Sequence, residues 1–311
     1  MAFAQVARAI STAEIPMIRF SNVIKKFGTT LFNTLRWQLS SSLITGFVSG
    51  LTEAIQYVSD LNESLNNIRI VTGYSAEEME QFAISANKAA KMLKTTTNEY
   101  AKASLIYFQQ GLSYKEVEER AAVTTKLANV TRESSETVSE WMTAIWNNFD
   151  DGSKSLEHYA DVMTALGAAT ASSSDEIAGG LEKFAAIAKT IGLSYEYAAS
   201  ALATVTAVTR QSEDVVGTSF KTIFGRMEGL SLGETTDDGV TLNKYSEALS
   251  SVGVNILDVN GDLKDMNVIL DELGTKWEIL NRGQKVALAQ VVGGMRQYNQ
   301  LIALMDNWDY F

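Results

Sequence analysis

Apolar residues recur at steps of three and four along almost the whole chain, which is the spacing of amphipathic α-helices. One stripe runs through Ile177, Leu181, Phe184, Ile187 and Ile191, and similar stripes lie at 117–130 and 295–305. The apolar–polar alternation of β-strands is almost absent. The pattern predicts a mainly α-helical chain, arranged as an elongated array of many helices.

Helix starts are marked by a recurring side-chain pattern. A hydroxyl stands three residues before a carboxylate in four pairs: Ser75 and Glu78, Thr96 and Glu99, Ser113 and Glu116, and Ser173 and Glu176. This is the capping-box arrangement, in which both side chains bond free backbone amides of the first turn. Gly73, Gly111 and Gly192 each precede a serine by two residues, so a left-handed glycine is expected to close the preceding helix.

One region departs from the helical pattern. Residues 231–240 are polar and rich in glycine, which predicts a loop, followed by a short helix near 241–250. The Asn260-Gly261 pair lies between aliphatic residues and favours a tight reversal of two strands. We therefore predict one small β-hairpin near 254–263, with helices resuming at about Lys264.

These elements divide the chain into four predicted parts. Residues 1–71 form a long helical lead-in, residues 72–230 a helical core, and residues 231–240 a loop. Residues 241–311 form a C-terminal helical part that carries the β-hairpin.

The amino-acid composition argues against several classes of function. The chain has 26 basic and 37 acidic residues and a net charge of −11. Residues 1–50 carry five cations and one anion, a net +4, which leaves −15 on residues 51–311. An acidic body argues against non-specific duplex binding, which needs a basic face. With no cysteine and one histidine, disulfides, cysteine-based zinc sites and histidine-pair metal motifs are excluded.

Local motifs give no catalytic chemistry. The run from Asp258 to Asp262 has acidic spacing but lacks the glycine and glutamate that a calcium loop needs at its sixth and twelfth positions. His158 is predicted to be a surface residue of a helix at 153–168. Gly179-Gly180 and Gly293-Gly294 lie inside helical patterns, where they cap a helix or let two helices approach closely. No catalytic, metal-binding or cofactor-binding residue is predicted, and no cofactor.

The N-terminal part leaves a membrane role open. The uncharged segment from Trp37 to Thr52 has 16 residues and several hydroxyls, fewer than the ~20 apolar residues of a spanning helix. An apolar stripe at 20–39 lies opposite a few cations. The alternative function is therefore a membrane-active helical protein that acts on the host envelope through residues 15–58.

Three stretches are distinctive in sequence as well as in periodicity. The first comprises residues 72–79, 97–104 and 107–113, the second residues 217–226, and the third residues 252–262, 273–277, 292–299 and 306–308. Together, and in this order, they resemble the conserved core of phage tail tape measure proteins.

The resemblance implies a structural virion protein, not an enzyme, that templates the length of the tail tube inside its lumen and is released at genome ejection. The implied partners are identical copies (a trimer is favoured, although symmetry alone allows two or six), tail tube and tail-tip or baseplate proteins, and tail assembly chaperones. No specific nucleic acid is implied, and membrane contact at infection is allowed. The implied location is the tail lumen or tip, after synthesis in the host cytoplasm.

Two further expectations follow from the resemblance. The stripes at 20–39 and 43–70 are expected to bundle with identical chains, because they have no core of their own. A continuous helix of 311 residues would span about 470 Å at ~1.5 Å per residue, too short for a ruler, so the chain is expected to be part of a longer protein. Some longer relatives carry a cell-wall hydrolase region, but no acid–base pair stands out here.

Overall fold

The structure is a computed structural model that describes residues 41–231, 234–260 and 263–310. Within these ranges the chain forms twelve α-helices, a 3-10 turn at Trp308–Tyr310, and no β-strand. The helices are α1 (Ser41–Thr72), α2 (Ala76–Met92), α3 (Thr97–Gln109), α4 (Tyr114–Thr131), α5 (Ser135–Phe149), α6 (Leu156–Ala169), α7 (Ser174–Thr190), α8 (Tyr195–Thr209), α9 (Glu213–Ser231), α10 (Leu242–Ser250), α11 (Met266–Trp277) and α12 (Arg282–Met305). The predicted mainly α-helical class is confirmed.

The predicted helix starts are also found. Ser75 and Glu78 form a complete capping box at the start of α2, and the Ser173 amide donates to Glu176 at 2.8 Å before α7. Thr96 caps α3, but the carboxylate of Glu99 accepts from the Ser135 amide instead of closing the box. The first turns of these helices are therefore set by short-range side-chain chemistry, as the sequence indicated.

The predicted β-hairpin at 254–263 is wrong as a pair of strands. One antiparallel bridge joins Leu257 to Leu263, and the Lys264 amide donates to the Ile256 carbonyl at 2.9 Å. Before the bridge, the Val254 amide bonds the Leu249 carbonyl at the end of α10. Because the Val254 amide is bonded to the end of α10, the segment closes that helix, and the pairing is limited to a single bridge.

The chain folds as two compact units. The first contains the described residues up to Lys126 together with Ser134–Glu136, and the second contains Leu127–Glu133 and everything from Thr137 onward. The four-part division drawn from the sequence stays a prediction. The stripe at 20–39 lies outside the described residues.

The core of the first unit is aromatic. Phe82, Tyr107 and Phe108 are buried in it, and the Tyr107 hydroxyl lies 2.6 Å from the hydroxyl of Thr124. The last turns of α1 join this core, since Ile68 is fully buried and Ser64 donates to Asn98 at 2.7 Å. Part of the predicted lead-in helix therefore packs within its own chain.

The second unit is built around a close crossing of α7 and α9. Phe184, Phe220 and Phe224 form a buried aromatic cluster, with ring centroids 5.5 to 5.9 Å apart. Beside them, a Cβ atom at Gly217 would lie 2.6 Å from the carbonyl oxygen of Gly180. The two backbones are close enough that only glycine fits at this point.

This crossing generates a test with a matched control on the same helix. Gly217→Ala should destabilise the chain by about 1–3 kcal/mol, because the added methyl meets backbone that cannot move aside. Gly225→Ala has open space around the new methyl and should stabilise by up to ~1 kcal/mol, because alanine favours the helix. Urea unfolding followed by circular dichroism measures both changes. Equal free energies of unfolding for the two variants would contradict the close crossing.

Candidate functional site: two polar junctions of the second unit

Helix α12 is broken in its middle. Gly294 has φ 77° and ψ 163°, a backbone conformation that is essentially restricted to glycine. Two contacts show that the chain folds back here. A Cβ on Gly293 would lie 3.2 Å from the Cα of Tyr298, and Lys285 Nζ lies 2.8 Å from Asp306 Oδ1. In one continuous helix those last two residues would be about 32 Å apart, so α12 is a helical hairpin with arms 282–293 and 295–305.

The side chain of Arg226 lies directly against this reversal. Its guanidinium comes from α9 and lies where a Cβ on Gly294 would be, 3.1 Å from Nη1. Nη2 donates to the Val291 carbonyl at 3.2 Å, one of the acceptors that the break leaves without its usual helical partner. We call the group formed by Arg226, Gly294, Val291 and Asp238 the Arg226 junction.

Asp238 completes the Arg226 junction from the segment 234–240. Its two carboxylate oxygens accept from Nη1 and Nη2 of Arg226 at 3.0 and 3.1 Å, and Thr236 donates to the same carboxylate. The Arg226 side chain is only 13% exposed and that of Asp238 28% exposed. A bidentate pair in partial burial fixes geometry more firmly than a surface ion pair does.

A second junction closes the open end of the hairpin. Asp306, which follows the second arm, accepts from the indole N–H of Trp277 at 2.7 Å and from Lys285 of the first arm at 2.8 Å. Next to it, a Cβ on Gly274 would lie 2.3 Å from the Trp308 ring, so this indole packs directly on the backbone of α11. We call the group formed by Asp306, Trp277 and Lys285 the Asp306 junction.

Both carboxylates are held in the charged form. Burial opposes ionisation of Asp238, but hydrogen bonds from Thr236 and Arg226 outweigh it and lower the pKa of this residue. Burial likewise opposes ionisation of Asp306, while the hydrogen bonds from Lys285 and Trp277 lower its pKa. The two junctions therefore hold their helices together most firmly when both aspartates are ionised.

His158 lies where the sequence placed it, on α6, but it is not isolated. Its Nε2 atom lies 2.9 Å from Glu196 Oε1, and Lys154 contacts the same carboxylate. The His158 side chain is 37% exposed. The sequence around His158 points only to its adjacent acidic residues. Glu196 lies 38 positions away along the chain, and no local pattern indicates it as a partner.

The large apolar side chains of α5 serve packing. Ile145 is fully buried, Trp146 packs edge-on against Tyr159, and Phe149 packs edge-on against Tyr195. Among the described residues, no group of histidine and acidic side chains could hold a metal ion. Nor is any helix in these ranges both long enough and apolar enough to cross a membrane. The segment 15–58 invoked for membrane action lies mostly outside the described side chains.

The geometry thus defines a helical scaffold in which residues of the distinctive sequence stretches hold helices together. The stretch 217–226 contributes Arg226, and the stretch 292–299 contributes the glycine that Arg226 covers. The family model of phage-related minor tail proteins matches residues 85–294, about two thirds of the 311 residues. The chain belongs to this family and is therefore a structural protein of a phage tail and a component of the virion. No solved structure matches it.

The lowered pKa of Asp238 gives a pH-dependent prediction. A carboxylate whose pKa is lowered in the folded state stabilises the fold at pH values above its ordinary pKa of 3.8. That stability is lost as the pH falls through the folded-state pKa. Asp238→Asn should therefore destabilise the chain by about 1–2 kcal/mol at pH 7, with a smaller difference from the parent chain at pH 3.

The control for this measurement is Asp237→Asn. It removes the same charge from an exposed neighbouring side chain and should leave the free energy of unfolding unchanged within ~0.5 kcal/mol. Urea unfolding at both pH values measures each variant. A cost of Asp238→Asn that is equal at pH 7 and pH 3 would show that the ion pair contributes nothing.

Proposed function

We propose that this chain is part of a tape measure protein, which occupies the lumen of the growing tail tube, templates its length and leaves at genome ejection. The observation that carries the proposal is the family match over residues 85–294, because this range contains most of the stretches that resemble tape measure proteins. The contact between Arg226 and Gly294 supports it further. It joins two of those stretches and gives them a common structural role.

Identical chains are the partners we propose for the lead-in helix, with three copies favoured. In the described part of α1, Ile70 is 80% exposed and Val71 is 41% exposed, whereas Ile68 on the other side is buried. Exposed aliphatic side chains at the end of an apolar stripe are costly in water. A bundle of α1 helices from several copies would cover them.

The charge distribution fits passage of DNA through the same tube. Residues 51–311 carry a net charge of −15, which repels the phosphate backbone and weakens retention of DNA. The tail tube, the tail tip or baseplate and the tail assembly chaperones are the other partners we propose. Each of them would recognise folded helical surfaces and none requires a catalytic group.

Tail length tests the proposal directly. In the phage that encodes this chain, residues 41–58 can be repeated in tandem, since 18 residues complete about five helical turns and preserve the phase of the flanking helix. Two extra copies should lengthen the tail by up to about 54 Å and four by up to about 108 Å, at ~1.5 Å per added residue. Negative-stain electron microscopy of tails measures the change.

The length-neutral control is Ala54→Ser, an exposed position in the same segment, which should leave tail length unchanged. Assembled tails of parental length that contain the lengthened chain would contradict the proposal. In the same virions, quantitative mass spectrometry against the tail tube protein gives the copies per tail. Three copies would support the bundle, and one copy would contradict it.

A further inference from the structure

Helix α12 carries a second apolar periodicity, which the hairpin buries only at its two ends. Alternating steps of three and four join six residues across the break: Leu288, Val291, Met295, Tyr298, Ile302 and Met305. This is the a and d spacing of a coiled coil. In a continuous helix the six side chains would lie on one face, although the reversal at Gly294 now divides them between two arms.

The hairpin leaves the middle of that face uncovered. Met295 is 61% exposed, and Val291, Tyr298 and Ile302 are only partly buried. The second arm buries Gln300, Leu301 and Leu304 instead, and only the two ends of the face, Leu288 and Met305, are buried as well. The middle of the face is therefore suited to a continuous helix and not to the hairpin.

Local sequence favours the continuous helix except at the break itself. The segment 282–305 contains no proline and is rich in alanine, leucine, glutamine and valine; all but valine are strong helix formers. The break has local costs, because Gly294 is held in a sparsely populated conformation and carbonyls beside it lose helical partners. The Nε–H of Arg226 is also buried without an acceptor among the described residues.

Side-chain contacts that exist only in the hairpin oppose these local preferences. Arg226 bonds the Val291 carbonyl, Asp238 positions Arg226, and Asp306 bonds Lys285 of the other arm. Removing a contact that exists only in the hairpin shifts the balance toward the other conformation by the free energy of that contact. The Arg226 junction is the contact nearest to the break.

We propose that α12 is a two-state element, in which release of the Arg226 junction lets the hairpin open at Gly294 into one continuous helix that presents the face from Leu288 to Met305. Bound Arg226 keeps the hairpin as the ground state. Opening would turn two arms of about 18 Å each into one straight helix of about 36 Å and would place the six residues on one continuous face. The proposal rests on the second unit alone and is independent of the role assigned to the lead-in helix.

A spin-label distance between the two arms distinguishes the two states. The chain has no cysteine, so Arg282→Cys with Ala303→Cys introduces the sole pair of labelling sites. In the continuous helix these residues are about 32 Å apart, whereas the fold-back brings the arms side by side. The parent double-cysteine chain should give one short distance by double electron–electron resonance.

Three variants in this background complete the test. Asp238→Asn should add a resolved second peak near 32 Å, and Gly294→Ala should make that peak dominant, because alanine does not adopt the φ and ψ of the break. Gly225→Ala, one residue from Arg226 and with open space around the new methyl, should keep the single short distance. Circular dichroism should show unchanged or higher helicity in all three variants.

Two results would overturn the proposal. One is a single short distance in both Asp238→Asn and Gly294→Ala with helicity retained, which would mean that the hairpin does not depend on the junction or on glycine. The other is a broad distribution with lost helicity in Asp238→Asn, which would mean that release unfolds the arm instead of straightening it. Since Asp238→Asn alters no core side chain, it decides the question even where Gly294→Ala fails to fold.

Discussion

The guanidinium of Arg226 is the contact on which the placement of α12 in the second unit depends. It lies against the reversal at Gly294, bonds the carbonyl of Val291 and pairs with Asp238. Three segments that are distant in sequence, namely α9, residues 234–240 and α12, therefore meet at one side chain. Because α12 packs on α8, α9, α10 and α11, the direction of its arms sets where these helices lie.

The sequence predicted the structure wherever the determining chemistry is local. The capping box of Ser75 and Glu78 lies within four residues, and the stripe from Ile177 to Ile191 needs only the helical period. Neither pattern says which helices meet. Arg226 and Val291 are 65 residues apart, and His158 and Glu196 are 38 apart, so their partners follow from tertiary packing alone. The Asn260-Gly261 pair misled because the Val254 amide bonds the distant end of α10, which leaves one bridge in place of two strands.

The structural role of the family is consistent with where the polar groups are used. Asp306 and Glu196 each accept hydrogen bonds or ion pairs that join separate helices, and Asp238 joins α9 to the segment 234–240. Their chemistry serves the attachment of helices to one another. The proposed role in the tail tube would make use of such contacts, since ion pairs at helix junctions can be released without exposing a large apolar core.

Hydrogen exchange with mass spectrometry on Arg226→Met tests the central claim most directly, because methionine keeps the apolar stem and removes the hydrogen bonds. If Arg226 holds the three segments together, exchange should accelerate together in residues 234–240 and 288–298. The helices α2 and α3 of the first unit should be unaffected. Faster exchange confined to α9 around residue 226 would contradict the account.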